Sequence, residues 1–327
     1  MITTVKLTVC RNKCSTWLCC YLFFCQLLYW LWVPQAHAES SMRLQQEQLA
    51  EGIALTYLRE NQPDLRFVLD PKQLITQSAS ARRYTPAQAK DYVRHQLLVA
   101  AAKFQQEGAR VTISSPAQAL SVQVSGPVEV QKKVAAALEQ LQQQAYQDFL
   151  AERQLYRLAT PQGQHFIIPD HVAVLTQQRP ILQPIARAFI ELYGQNNIRK
   201  IASQVALWVQ QIPYQDLSNR QSSAGSGYIS PWQLLIQHRG DCDSKAVLFA
   251  GVLQQIFPNI KIAIIYFTDH AVIAAKIPAI RDETTVLLEG SPFLIIDATG
   301  PALTPIGTLA RKYQLSLQSQ QFSYRFF

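Results

Sequence analysis

Cysteine is nearly absent from the body of this chain. Five of its six cysteines, Cys10, Cys14, Cys19, Cys20 and Cys25, fall within the first 25 residues, and only Cys242 lies beyond them. A disulfide framework is thereby excluded for the body, because a lone thiol has no partner in the same chain. Basic tracts with interleaved aromatics are also missing, which removes the footprint of a nucleic-acid binder. The formal charge of +8 is mild; it fits adhesion to acidic surfaces without selecting a partner. His95, His165 and His171 are scattered without metal-ligand spacing and read as structural or exposed. No acidic loop demands calcium. No metal, cofactor or nucleic-acid partner is therefore expected.

What is present begins with a leader. Lys6, Arg11 and Lys13 precede an uncharged run from Trp17 to Val33, and Ala36-His37-Ala38 follows, the three-part plan of a secretory signal peptide over residues 1–38. An uncleaved anchor through residues 17–33 is the alternative, since that run reaches the lower limit for spanning hydrocarbon. Either version exports the body, to a periplasm or cell envelope. Cleavage after Ala38 would remove those three bases and no acid, lowering the net charge by three.

Residues 39–168 read as a small accessory α+β domain. The spacing of Leu44, Leu49, Ile53, Leu55, Tyr57 and Leu58 predicts a helix over Ser41 to Asn61. A second helix is expected from Pro86 to Gly108, then strands over Arg110 to Ser114 and Leu120 to Ser125, then a glutamine-rich helix running to about Ala159. Nothing in this stretch suggests catalysis; packing, or recruitment of a protein partner, is its expected role.

After Pro169 the pattern changes. Helices are expected from Pro180 to Tyr193 and from Ile198 to Ile212, then a polar loop over Ser218 to Gly227, then a short helix opened by Ser230-Pro-Trp-Gln233. Cys242 follows Gly240-Asp241 and opens an apolar helical run through Ile256. Unpaired backbone N–H groups and the helix dipole at that position are expected to favour the thiolate. Apolar strands follow: Ile260 to Phe267, a second opened by His270, then Thr285 to Leu288 and Pro292 to Thr299, the last carrying Asp297. Antiparallel register can set the imidazole of His270 beside the carboxylate of Asp297. Asp241, Asp243 and Lys245 are expected to cap the helix and form surface ion pairs. His238 lies one helical turn before Cys242, but no further ligands gather and no zinc site is expected.

Taken together, Trp208-Val-Gln-Gln-Ile-Pro-Tyr214, Gly240-Asp-Cys-Asp-Ser-Lys-Ala246, Asp269-His-Ala-Val272 and Ile296-Asp-Ala-Thr299 resemble the transglutaminase-like superfamily, a papain-related fold. The likeness covers about Pro180 to Tyr313. It implies an α+β chain whose catalytic domain, residues 180–327, packs the nucleophile's helix N-terminus on an antiparallel sheet. It implies further that Cys242 attacks an amide carbonyl, His270 moves the proton and Asp297 orients the imidazole, with Gln233 or Trp232 as a guess for an upstream oxyanion donor. The chain departs from the family in the 27-residue interval between His270 and Asp297, wider than one hairpin, which an extra strand or loop around Arg281 to Thr285 would absorb. The implied activity is a cysteine peptidase acting on a protein or peptide substrate at peptide or isopeptide bonds. A protein-crosslinking transglutaminase and a non-catalytic binding module of the same fold are the alternatives.

Overall fold

A computed structural model of the chain describes residues 3–6, 42–75, 83–105, 108–115, 119–217 and 227–327. The apolar run 17–33, the Ala36-His37-Ala38 triplet and residues 218–226 of the expected polar loop lie outside the described residues. The first elements are β1 (Thr3–Lys6), β2 (Arg43–Gln48), β3 (Ile53–Leu58), β4 (Leu65–Leu69), α1 (Lys72–Ile75), α2 (Pro86–Gln105), β5 (Arg110–Ser114), β6 (Ser121–Ser125) and α3 (Val128–Ala151). The hairpin β7 (Leu155–Ala159) and β8 (His165–Pro169) leads to α4 (His171–Tyr193), α5 (Ile198–Gln211), α6 (Pro231–Gln237) and α7 (Cys242–Ile256). Next come β9 (Ile262–Tyr266), β10 (Ala271–Ala275), β11 (Thr285–Leu288), β12 (Ser291–Ile296), α8 (Arg311–Gln318) and β13 (Ser323–Phe326). Every pairing between these strands is antiparallel, and the chain is α+β.

The elements form two compact units, residues 1–37 with 85–149 and residues 38–84 with 150–327. This differs from the division expected between 168 and 180. The reason lies in the segment read as a helix over Ser41 to Asn61, which is the hairpin β2–β3. Leu55 and Tyr57 alternate into the same core as Phe67 and Leu69 of β4 and Trp208 of α5, far along the chain. The turn between β2 and β3 requires a glycine, because a Cβ on Gly52 would lie 2.2 Å from the Leu69 carbonyl oxygen.

In the first unit, β1, β6 and β5 make one sheet, with Val111 opposite Val124. Val93, Leu97 and Ala101 of α2 and Val134, Leu138 and Ala145 of α3 share its core. Helix α3 stops at Ala151 rather than near Ala159, because Gln154 turns into the left-handed region and the chain returns as β7–β8.

In the second unit, α4 starts at His171, nine residues before the expected Pro180. Asp170 caps it by accepting from the Ala173 N–H at 2.9 Å, and Pro180 and Pro184 fall inside, where each lacks a helix donor. Helix α7 is buried on nearly all sides, as the unbroken apolar run from Ala246 to Leu253 requires. It lies close to α4 at Gly251, where a Cβ would come within 2.3 Å of a Leu182 methyl and 2.5 Å of a Leu175 methyl.

The sheet beside α7 runs β11-β12-β10-β9-β13. Its central strand β10 is buried throughout: Ala271, Ile273 and Ala275 join the α7 core, while Val272 and Ala274 join a second cluster with Tyr313 of α8. A strand covered on both faces reads as a continuous apolar run, as this one does. The wide interval between His270 and Asp297 is taken up by a loop and the outer hairpin strand β11. Arg199 of α5 fastens that loop through Glu283 at 2.5 Å and the Pro278 carbonyl.

Candidate active site

The site grows from the start of α7. Residues 238–241 reach it through a left-handed turn at His238, the C-cap of α6, whose ring sits 5.6 Å from Tyr57. Gly240 then forms an isolated parallel bridge with Tyr214, its N–H donating to the Pro213 carbonyl at 3.2 Å and its own carbonyl accepting from Gln215. The bridge joins the end of the Trp208–Tyr214 segment to the residues leading into Cys242. Asp241 caps α7, its carboxyl accepting from the Ser244 N–H at 3.2 Å.

Cys242 is a free, half-buried thiol in the first turn, and the backbone N–H groups of Ala271 and Asp243 are placed to favour the ionised sulfur. His270 directly precedes Ala271, the first residue of β10, whose N–H favours the ionised Cys242 sulfur. Strands β10 and β12 pair from Ala275–Leu294 to Ile273–Ile296, and Asp297 follows directly at the end of β12. The His270 Nε2 stands 2.9 Å from Asp297 Oδ2. The Thr299 N–H donates to Asp297 Oδ1 at 3.0 Å, which fixes the other oxygen. Tyr313 stacks on the imidazole at 4.8 Å and 21°, and the Lys312 ammonium covers that tyrosine at 4.4 Å while pairing with Asp269 at 2.9 Å. His270 and Asp297 are thus brought into direct contact, and Cys242 opens the helix that packs against β10.

Comparison with protein-family models, curated proteins and solved structures found no match to this chain. The chemistry of the site therefore rests on its own geometry.

Electrostatics depart from the expectation at the nucleophile. Burial pushes the Cys242 thiol up to about 12, with the Asp243 and Asp241 charges adding to it and the Ala271 and Asp243 N–H groups opposing. The resting sulfur is a thiol, not the thiolate that a helix start alone would favour. Burial would also raise Asp297, but the hydrogen bond and charge of His270 outweigh it and hold that carboxyl below its ordinary value. An ionised Asp297 accepts from His270 Nε2–H, which leaves Nδ1 as the basic nitrogen for the thiol proton.

Three features were not legible beforehand. Lys245 is 0% exposed, not a surface partner; its ammonium donates to the carbonyls of Thr299 and, at 3.4 Å, of Gln210. Burial lowers it to about 7 against the pull of Asp297 and Asp241. Burial also pushes Asp241 up to about 9, helped by the charge of Asp243, with which it shares a hydrogen bond. His171 is 1% exposed and bridges Tyr266 at 2.7 Å and Asp243 at 3.0 Å. Burial lowers it to about 4, so the neutral ring accepts from the Tyr266 hydroxyl at Nδ1 and donates to Asp243 from Nε2. The acidic pair around Cys242 was the one signal in the sequence; its distant partners left none.

Trp232 and Gln233, the expected upstream oxyanion donors, both lie in the first turn of α6. The backbone N–H of Trp232 donates to Gln178 Oε1 at 3.0 Å, and the Gln233 side-chain oxygen accepts from the Ser230 N–H at 3.0 Å. The Gln233 bond belongs to the capping box of α6, and the Gln178 bond satisfies a free N–H of its first turn from α4. Among the described residues, no cluster of His, Cys, Asp and Glu has the makings of a metal site, and no helix is long and apolar enough to cross a membrane.

Proposed function

We propose that this chain is an exported thiol acyl-transfer enzyme of the transglutaminase-like type, a cysteine peptidase that hydrolyses peptide or isopeptide bonds. The observation that carries the reading is the 2.9 Å bond from His270 to Asp297 at the end of the sheet where β10, packed against the helix that Cys242 opens, begins. Because the resting sulfur is protonated, His270 acts as a general base during attack. The Cys242 proton passes to Nδ1 as the S–C bond forms, and Asp297 stabilises the imidazolium. The tetrahedral oxyanion collapses, the amine leaves with the proton from His270, and a water activated by the same imidazole releases the acid. The backbone N–H of Cys242 at the start of α7 supplies stabilisation for the oxyanion.

The test supplies the full chain with a glutamine- and lysine-containing protein and a fluorescent primary amine. Fragmentation lost in Cys242→Ala supports hydrolysis. Amine labelling lost in the same variant replaces hydrolysis by transfer with the same triad. Equal behaviour of wild type and Cys242→Ala over several protein substrates overturns the enzymatic reading.

A further inference from the structure

The segment Trp208–Tyr214 contributes a side chain that the mechanism above leaves unused. Gln210, 2% exposed at the end of α5, spends its amide on one loop. Its Nε2 donates to the Asp297 carbonyl at 2.6 Å and to the Thr304 carbonyl at 2.8 Å, and its Oε1 accepts from the Thr304 N–H at 3.2 Å. Three of the four bonds available to a primary amide thus close the loop from Asp297 to Thr304 at both ends. The main chain of Gln210 continues the clamp. A Cβ on Gly300, in the middle of that loop, would fall 2.2 Å from the Gln210 carbonyl oxygen, so the loop lies directly on the helix end. The same carbonyl accepts from Lys245, which also bonds the Thr299 carbonyl from the α7 side.

These contacts matter because of what the loop carries. Asp297 precedes the clamp, and its Oδ1 is tied to Thr299 N–H inside it, so the direction of Oδ2 toward His270 depends on where the loop sits. We infer that Gln210 is a positioning residue of the candidate triad, acting through Asp297 by clamping the Asp297–Thr304 loop, with Lys245 supporting the clamp from α7. This rests on the reading of Cys242, His270 and Asp297 as one catalytic unit. Gln210 touches no reacting atom; its action is to remove the freedom of the carboxylate that orients the base.

The test follows alkylation of Cys242 by iodoacetamide in the full chain, read by mass spectrometry of the peptide that carries it, across pH 5 to 10 for about the range over which thiols and imidazoles titrate. Without an oriented Asp297, the imidazolium that receives the thiol proton loses its stabilisation and alkylation at neutral pH slows. Asp297→Ala is expected to slow it by roughly 100-fold or more, and Gln210→Leu by roughly 10-fold to 100-fold, with both profiles displaced toward higher pH. Adding Gln210→Leu to Asp297→Ala should then cost nothing further, since the clamp has lost the group it acts on. Leu182→Ala, a truncation in α4, should lower the melting temperature and leave the profile in place, which separates positioning from general destabilisation.

If Asp297→Ala leaves alkylation unchanged, the triad reading fails. If Asp297→Ala slows it while folded Gln210→Leu does not, or if the two effects multiply, the role of Gln210 fails and the triad stands. Should Gln210→Leu not fold, Gln210→Glu decides the matter in the same way: it keeps the shape and the acceptor while removing both donors.

Discussion

Asp241 offers a direct measure of the electrostatics at the nucleophile. The folded protein holds this carboxyl at about 9, chiefly through burial, whereas the unfolded chain releases it near about 3.9. Between those values the folded state binds one more proton than the unfolded state, so this group makes stability fall as pH rises from about 4 to about 9. Each pH unit costs about 1.4 kcal/mol, which accumulates to about 4 kcal/mol at pH 7. Asp241→Asn removes that slope while keeping a residue that caps helices well. The variant should match wild type at pH 4 and exceed it by up to about 4 kcal/mol at pH 7. Urea unfolding at pH 4, 5.5 and 7 measures the difference, followed by the fluorescence of Trp208 and Trp232, which both belong to the unit carrying the site. Parallel stability curves for the two proteins would refute the reasoning, because they would mean that Asp241 is ionised in the folded state. A stabilised variant with slower Cys242 chemistry would further show that the buried acid is kept for the site at the expense of stability.

Two further outcomes are expected. Tyr313→Leu removes a stacking partner of about 0.5 to 1.5 kcal/mol from the His270 ring, and should slow neutral-pH alkylation of Cys242 by about 2-fold to 10-fold while Asp297→Ala remains the larger effect. Gly251→Ala drives a methyl into Leu182 and Leu175 where α4 and α7 meet; the strain of overpacking is about 1 to 3 kcal/mol, read as a lowered melting temperature, and an unchanged one contradicts the close approach.

What the sequence made legible was the part of the site built from order and burial. Strand β10 and its neighbours are covered on both faces, so their apolar runs stand out, and the breaks in those runs are His270 and Asp297. Cys242 was marked by the glycine before it and the apolar helix after it. The failures share one cause, namely partners distant in the chain. Leu55 and Tyr57 look helical in spacing until β4 supplies the strand they pair with. Lys245 looks like a solvated charge until the carbonyls of Thr299 and Gln210 receive it. His171 is linked to Asp243 across 72 positions, and Gln210 to Asp297 across 87, separations over which no local pattern operates.

Strand β13 has a consequence of its own. It pairs along β9, from Ser323 opposite Tyr266 to Phe326 opposite Ala263, and its Arg325 holds the Asp170 cap of α4 at 2.5 Å. Without it, β9 would present a bare row of backbone donors and acceptors, a template for joining another molecule's strand. A proteolytic nick near Gln320, where the backbone turns left-handed between α8 and β13, would therefore open the sheet to strand exchange or aggregation. It would also free Tyr266 and Asp170 on either side of His171, so damage at the surface would reach the proton network beside Cys242 without touching the site itself.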